Sequence, residues 1–200
     1  MAGTATRYNA LTIPAGVIVQ LWTGLAVPAA AARLTLDTDG TPDATANPSA
    51  KHLGHTDAGL TVTGTETVQD FFADEVAYPI ASSLDTVEYT IAGSALQVAD
   101  EELVKFLAAN TGTYGTAAGY KEFTLGYKSS ITYASVAAIW KSPLDPTKFA
   151  VFNLYNARNT TGFNFQIGRK VRSSSAFTIK GYGITSRAAA DQMGNYWWQI

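Results

Sequence analysis

Chemistry at short spacing is conceivable in one histidine-containing segment. His52, His55 and Asp57 lie close together, and imidazole and carboxylate groups are common zinc ligands. Gly54 and Gly59 break up the segment, which favours a loop or the beginning of a strand over a helix with ligands on one face. A structural zinc site needs four ligands, and the sequence offers no fourth one here. We therefore predict no metal site and no cofactor.

Two groups of acidic residues are the other candidates for chemistry. The first resembles the beginning of a calcium-binding loop but lacks the distal bidentate Glu, and its residue types also suit tight turns. It contains Asp37, Asp39, Gly40 and Asp43. The second could supply the carboxylate pair of a glycoside hydrolase, which needs a defined separation in a cleft. It contains Glu66, Asp70, Asp74 and Glu75. Acids on strands more often form a solvated face, so we predict no catalytic residues and keep a hydrolase as an alternative.

The composition excludes several functional classes. The chain has no cysteine, which rules out disulfides, thiolate zinc sites and iron–sulfur clusters. Charged residues make up 15% of the chain, below the usual quarter, which favours a surface sheltered by neighbouring molecules. The first apolar run follows no basic segment and is interrupted by Pro14, Gly16 and Gln20. We expect neither a signal peptide nor membrane insertion.

Charge is divided unevenly along the chain. Residues 1–102 hold thirteen acids and three bases, a net charge of −10, whereas residues 103–200 hold three acids and eleven bases, a net charge of +8. Opposite charge in two halves can guide copies of one protein into head-to-tail contact. The alternative is that the fold mixes the halves in space and removes the asymmetry.

Period-two alternation predicts a mainly β protein. Apolar and polar residues alternate over 60–63, 87–91, 163–167 and 177–180, while 131–139 and 149–155 are apolar on both faces. Glycine and proline interrupt these runs at short intervals, as in an antiparallel β-sandwich or barrel. The two doubly apolar runs are expected at the centre of the fold or at a subunit contact. We predict a single domain over residues 1–200, with an N-terminal extension over 1–14.

Three segments depart from the strand pattern. Leu103, Phe106 and Leu107 follow helical spacing behind three acids, which predicts one flanking α-helix over about residues 99–110. Residues 37–56 are polar without periodicity, which predicts a long functional loop. The chain ends in Tyr196, Trp197 and Trp198, residue types that anchor interfaces. We predict a C-terminal arm over 188–200 that docks on the next subunit, the alternative being packing on its own core.

Basic residues concentrate near the C-terminal end. Arg169, Lys170 and Arg172 are the densest group, and a nucleic-acid surface is one interpretation. Since the isoelectric point is about 5.6, we favour contacts with the acidic half of a neighbour. The predicted inter-subunit residues are Asp37, Asp39, Asp43, His52, Arg169, Lys170, Arg172, Tyr196, Trp197 and Trp198.

The order of motifs resembles the major tail tube proteins of long-tailed bacteriophages, the siphophage-type family. The motifs are Leu53-Gly54-His55-Thr56-Asp57-Ala58-Gly59, the acidic segment 66–75, Tyr78-Pro79-Ile80, the strand 87–91, Glu101-Glu102-Leu103 of the helix, 142–146 and the strand 149–155. The resemblance spans roughly residues 15–187. His55 replaces the aromatic residue usual in that turn.

The resemblance implies a structural virion protein without enzymatic activity. Such subunits, assembled in the bacterial host cytoplasm, form stacked hexameric rings with a continuous inner barrel and work with tape-measure and terminator proteins. DNA passes through the lumen without sequence recognition. A basic lining would bind DNA, because duplex DNA carries about one charge per 1.7 Å. Acids and small polar residues would instead let DNA slide, so we predict that some of the candidates Glu66, Asp70 and Glu88, with nearby threonines, face the lumen. The alternative is a monomeric β-sandwich that binds carbohydrate or a receptor through Trp22, Trp140 or Trp197.

Overall fold

The computed structural model describes residues 19–30, 32–71, 81–95, 101–108, 114–117, 120–123, 131–142, 145, 147–162, 166–168 and 171–199. Within them the strands are β1 (Val19–Thr23), β2 (Lys51–Phe71), β3 (Ala81–Ala95), β4 (Tyr114–Ala117), β5 (Tyr120–Phe123), β6 (Ala134–Lys141), β7 (Phe149–Asn159), β8 (Gln166–Gly168), β9 (Val171–Gly181) and β10 (Gly194–Trp198). One α-helix, α1 (Glu101–Leu107), and one 3-10 turn, Ala189–Asp191, complete the described elements. The N-terminal extension predicted over 1–14 lies outside the described residues.

The protein is mainly β, as predicted, and its main sheet curls back on itself. Eight antiparallel strands follow the order β10-β7-β6-β1-β2-β3-β9-β8, and β7 also pairs with β9. The additional pairing joins Ala157 to Gly181 and Asn159 to Ile179, so six strands from β7 around to β9 close a barrel. The strands β4 and β5 form a separate two-stranded ribbon.

The central strands are buried on both faces, as their apolar composition predicted. In β6, Val136, Ala138 and Trp140 point into the barrel, while Ala137 and Ile139 point outward into a second cluster. That second cluster is covered by the loop before β2, which contributes Leu25, Leu34 and Leu36. Burying both faces of β6 and β7 makes these strands the rigid centre of the molecule.

The helix α1 packs against the barrel between β2 and β7. Leu103 and Leu107 are fully buried in the barrel core, with Phe106 beside them. The carbonyl oxygen of Leu107 accepts a hydrogen bond of 3.0 Å from Asn159 Nδ2, which ties the helix end to β7. The predicted helix is confirmed over 101–107, and residues 99, 100, 109 and 110 lie outside the described residues.

The long loop ends six residues earlier than the sequence predicted. Residues 51–56 belong to β2 and pair with β1, with Trp22 opposite His52 and Gln20 opposite His55. The register shifts between Gln20 and Trp22, and Gly54 lies there with φ +90°, a bulge geometry that glycine adopts without a Cβ penalty. The prediction of a loop to residue 56 was wrong because the bulge hides the two-residue period.

The C-terminal segment is a strand of the protein's own sheet rather than a free arm. The strand β10 pairs with β7 from Gly194 opposite Leu154 to Trp198 opposite Ala150. The physical reason lies in the pairing of β7. Only its C-terminal part, from Ala157 to Asn159, pairs with β9 among the described residues. Without β10, the N-terminal part of β7 would have an unpaired edge. None of the described helices is long and apolar enough to span a membrane.

Candidate assembly surface

The strands β2 and β3 continue beyond the barrel as a two-stranded ribbon, here called the arm. The arm comprises residues 61–71 of β2 and 81–89 of β3. Every described residue from 61 to 71 and from 81 to 86 is exposed, so neither face of the distal ribbon is covered. At about 3.3 Å per residue the β2 side extends roughly 35 Å. An isolated two-stranded ribbon is marginally stable in water, which points to a partner that covers it.

One face of the arm is apolar and acidic. Residues directly opposite each other share a face, and the register pairs Glu66 with Val87 and Val68 with Leu84. Val68 is 52% exposed and Leu84 is 58% exposed. This face is continuous with the barrel interior. Ile91 lies on the same face of β3, four residues from Val87, and it belongs to the core.

The opposite face of the arm is polar and rich in hydroxyl groups. It carries the alternate residues of β2 and their partners on β3. The members on β2 are Thr61, Thr63, Thr65, Thr67 and Gln69, and those on β3 are Ser83, Thr86 and Glu88, with Thr90 next to the arm. At the tip, Phe71 lies opposite Ala81 on the same face and is 46% exposed. On the adjoining strand, Lys180 lies opposite Thr90 and Thr178 lies opposite Ala92. The polar face therefore extends from the arm across the outer surface of the barrel.

The three predicted lumen residues do not share a surface. Glu66 and Asp70 lie on the apolar and acidic face, while Glu88 pairs with Thr65 on the polar face. The register also shifts between Thr67 and Val68, a bulge that leaves Asp85 without a partner on β2. A single channel wall can therefore contain Glu88 or the other two carboxylates, but not all three.

Both edges of the arm are unpaired within the described residues. The partner strand β1 reaches β2 only as far as His55, and β9 pairs with β3 only from Thr90 onward. Beyond these points no described strand lies beside the main-chain N–H and C=O groups on the outer side of either arm strand. Such edges are templates for pairing with another chain.

Two side-chain contacts fix the acidic groups of the arm. Ser82 Oγ donates a hydrogen bond to Asp70 Oδ1 across the ribbon. Lys180 Nζ forms a salt bridge with Glu88 Oε2, which joins the base of the arm to β9. The described arm residues include four acids, Glu66, Asp70, Asp85 and Glu88, and no base.

A cleft of about 430 Å³ opens at the base of the arm. It lies beside the part of β7 that pairs with β10 instead of β9, where the barrel has a gap between β7 and β9. Its lining includes Glu66, Val87, Tyr89, Phe152 and Tyr196. The rings of Phe152 and Tyr89 have centroids 6.4 Å apart, and those of Phe152 and Tyr196 are 6.5 Å apart. The apolar face of the arm thus continues into an aromatic-lined opening.

The acids of the loop are used in its own turns. Asp39 Oδ1 accepts hydrogen bonds from Thr41 N at 2.9 Å and from Thr41 Oγ1 at 2.7 Å, and these bonds lower the pKa of Asp39. Asp43 Oδ1 accepts from Thr45 N at 2.7 Å. Asp37 closes the same turn, because its N–H donates to Thr41 O at 2.8 Å. The carboxylates of Asp39 and Asp43 thus cap local turns, and the predicted contact of all three acids with another subunit stays a prediction.

Of the remaining predicted inter-subunit residues, His52 has a described ring contact, whereas the side chains of the basic group lie outside the described part of the chain. The His52 ring packs against Trp22 at 5.0 Å between centroids. Arg169 and Lys170 lie outside the described residues. The backbone of Arg172 is in β9, but its side chain lies outside the described part. Asp74 and Glu75 also lie outside it. Within the described part of the chain, no three His, Asp or Glu side chains are grouped so that they could hold a metal ion.

The C-terminal aromatic residues divide between two surroundings. Trp197 packs on the second cluster, and the guanidinium carbon of Arg33 lies 6.0 Å from its ring centroid. Tyr196 stacks on Trp140 at 6.0 Å and contacts Trp198 at 5.3 Å. Tyr196 and Trp198 are 41% and 46% exposed, so both keep area for a partner. Trp140 is only 8% exposed and offers no flat platform for a sugar.

No protein-family model matches the sequence, and no curated protein matches it either. The sequence did not single out Val68 and Leu84 as exposed apolar residues or Lys180 as a partner of Glu88. The Thr-rich run before Val68 did signal an exposed strand, since a half-buried strand would alternate with larger apolar residues. The pairing of Lys180 with Glu88 has no sequence signal, because the residues are 92 positions apart.

Proposed function

We propose that the protein is a self-assembling structural subunit of the phage tail tube type, whose copies join through the arm into rings that stack around a channel. The observation that supports this most directly is the arm, with two unpaired strand edges within the described residues. A ribbon with two free edges can accept one neighbour on each side. Repetition of such a heterologous contact gives a closed ring, and a second contact along the axis gives a tube.

The two faces of the arm suit the two sides of such a ring. The apolar and acidic face would be covered by protein, because Val68 and Leu84 are about half exposed in the single chain and large apolar groups on a surface indicate a contact. The polar face would line the channel, since hydroxyl groups do not bind phosphate as ammonium groups do. On this proposal Glu88 faces the lumen, while Glu66 and Asp70 lie toward a neighbouring subunit.

The number of copies, the stacking partners and the location in a virion come from the family resemblance alone. The proposal treats tape-measure and terminator proteins as partners and DNA as the cargo of the channel. It assigns no catalytic residue. The hydrolase alternative requires two close carboxylates in a cleft, and among described residues the cleft at the base of the arm is lined by the single carboxylate of Glu66.

The decisive experiment compares the assembly state of the wild-type protein with that of a face variant. Val68→Ser combined with Leu84→Ser removes apolar contact from one cross-strand pair. We expect wild-type protein to give rings or tubes by negative-stain microscopy and multi-angle light scattering, and the double variant to remain monomeric. The melting temperature of the monomer should stay nearly unchanged, because exposed substitutions usually shift stability by no more than about 0.5 kcal/mol.

The matched control is Gln69→Ser, which truncates a side chain on the polar face of the same ribbon, opposite Ser83. This variant should assemble like the wild type. A wild-type protein that stays monomeric at all concentrations would contradict the proposed function. A double variant that assembles as well as the control would contradict the assignment of the apolar face to the interface.

A further inference from the structure

We infer that Glu88 is a built-in counter-ion for Lys180, which keeps the polar face from binding the phosphates of duplex nucleic acid that passes over it. The inference rests on the proposed function and deepens it by assigning the electrostatic role of one residue pair in the channel wall. It concerns two residues from distant parts of the sequence that the fold brings to one surface.

The geometry places both groups on the polar face. Glu88 lies opposite Thr65 on the arm, and Lys180 lies opposite Thr90 on the adjoining strand. Since Glu88 and Thr90 alternate on one side of β3, the two side chains lie on the same side and form a salt bridge. Lys180 is 35% exposed and Glu88 is 41% exposed, so both groups are within reach of a molecule that contacts this surface.

On the described polar face this pair lies beside one further charged residue, Arg158. The other outward residues of β2 and β3 there are neutral, chiefly threonine, serine and glutamine. Arg158 lies directly opposite Lys180 on β7 and shares this face, and its Nε donates to the Tyr182 hydroxyl at 2.9 Å. Arg158 also lines a separate cavity of about 170 Å³ together with Glu102. Arg158 therefore adds a positive charge beside Lys180, and the variants at Lys180 separate its contribution from that of Lys180.

A surface pair of this kind contributes little to folding, because exposed salt bridges are worth about 0–1 kcal/mol. Its effect on a polyanion is larger. Each lysine that contacts a phosphate releases counterions and strengthens binding, strongly so at low salt. Repetition around a ring multiplies that contact, so one unpaired lysine per subunit would make the channel retain DNA. A carboxylate held against the ammonium group removes that attraction.

The test measures retention of a short fluorescent DNA duplex by the assembled protein at about 50 mM and about 200 mM salt, a range over which phosphate contacts weaken steeply. The variants are Glu88→Gln, Lys180→Gln, the combination of both, and the control Glu66→Gln. The control removes the same charge from the same ribbon but from the opposite face. Negative-stain images establish the assembly state of each sample.

We expect Glu88→Gln to retain at least about tenfold more DNA than the wild type at the lower salt, and to lose this gain at the higher salt. Lys180→Gln and the combined variant should retain no more DNA than the wild type, and Glu66→Gln should gain at most about twofold. Equal gains for Glu88→Gln and Glu66→Gln would overturn the inference, because net charge alone would then explain the effect.

The tube function and the counter-ion role of Glu88 can be contradicted separately. If the wild type assembles into tubes and Glu88→Gln binds no more DNA than the wild type, the counter-ion role is wrong and the tube function stands. If the wild type never assembles, the proposed function is wrong and the inference falls with it. A gain by Glu88→Gln that persists in the combined variant would also overturn the inference, since Lys180 would not be the binding group.

Discussion

At the residue scale, one cluster ties the C-terminal segment to the barrel. The Tyr155 hydroxyl donates to Asp191 Oδ1 at 3.0 Å, and the Arg187 guanidinium lies over the Tyr155 ring at 4.5 Å. Arg187 also bonds the carboxylate of Asp191, and its Nη1 donates to Pro28 O at 2.8 Å. Three distant segments thus meet at one buried tyrosine.

This cluster gives a pH-dependent stability. Burial, followed by the hydrogen bond and the negative charge of Asp191, raises the pKa of Tyr155 to about 12 from its usual 10. The folded state holds this proton more tightly than the unfolded state. The stabilisation is therefore complete below pH 10 and is lost as the pH rises from about 10 to about 12. We expect the free energy of unfolding, measured by urea denaturation, to fall across this range.

The control for this prediction is Tyr155→Phe. It keeps the ring under Arg187 and removes the titrating group, at a cost of about 1 kcal/mol near neutral pH for the lost hydrogen bond. Its unfolding free energy should decline less steeply above pH 10 than that of the wild type. Some decline remains, because burial also raises the pKa of Tyr196. Identical slopes in both proteins would contradict the role assigned to Tyr155.

At the element scale, β10 separates two explanations of the C-terminal aromatic residues. If the strand serves the protein's own fold, Trp197→Ala should destabilise the monomer by about 3 kcal/mol, in the range for a large side chain lost from a packed cluster. Trp198→Ala should cost about 1 kcal/mol or less, because that ring is nearly half exposed. Chemical denaturation of both variants measures the difference.

The same pair of variants tests contact with another subunit. Trp198→Ala should weaken assembly more than it weakens the monomer, since its exposed ring, with Tyr196 beside it, is free to meet a partner. Equal, small effects of the two substitutions on monomer stability would contradict the packing of Trp197 described above. Residues 194–198 follow the predicted alternative, packing on the protein's own core, which composition alone could not show because it does not reveal the free edge of β7; docking of this segment on the next subunit stays a prediction.

The elements also show how far the sequence predicts this fold. Alternation identified parts of β2, β3 and β9, and doubly apolar runs identified β6 and β7 as central. Helical spacing placed α1. Pairing was not predictable, because a period of two says which face a residue takes but not which strand lies beside it. The arm was missed for that reason, and β4 and β5 were missed because four residues each are too few to show a two-residue period.

At the scale of the whole molecule, the fold mixes the charged halves in the barrel and preserves the asymmetry in the arm. The strand β1 from the acidic half lies between β2 and β6, and β9 from the basic half lies beside β3. The arm projects with four acids and no base among its described residues. The fold thus removes the asymmetry from the barrel and keeps acidic charge in the arm, and guidance of copies by that charge stays a prediction.

This separation predicts that assembly depends on salt while folding does not. Acids at the exposed arm would steer it to basic surface on the next copy, and steering of this kind is screened beyond about 10 Å at 0.1 M salt. We expect the initial rate of assembly, followed by light scattering, to fall about tenfold between roughly 0.01 M and 0.15 M salt. The unfolding free energy of the monomer should change little, because the arm acids are exposed.

The matched variant for this prediction is Asp70→Asn combined with Asp85→Asn, which removes two arm charges without changing size. It should assemble more slowly than the wild type at low salt and show a weaker salt dependence. Asp145→Asn combined with Glu101→Gln is the control, since Asp145 belongs to the turn before β7 and Glu101 to α1, and neither lies on the arm. If the control loses as much salt dependence as the arm variant, the arm does not guide assembly, and the asymmetry of the sequence acts only through net charge.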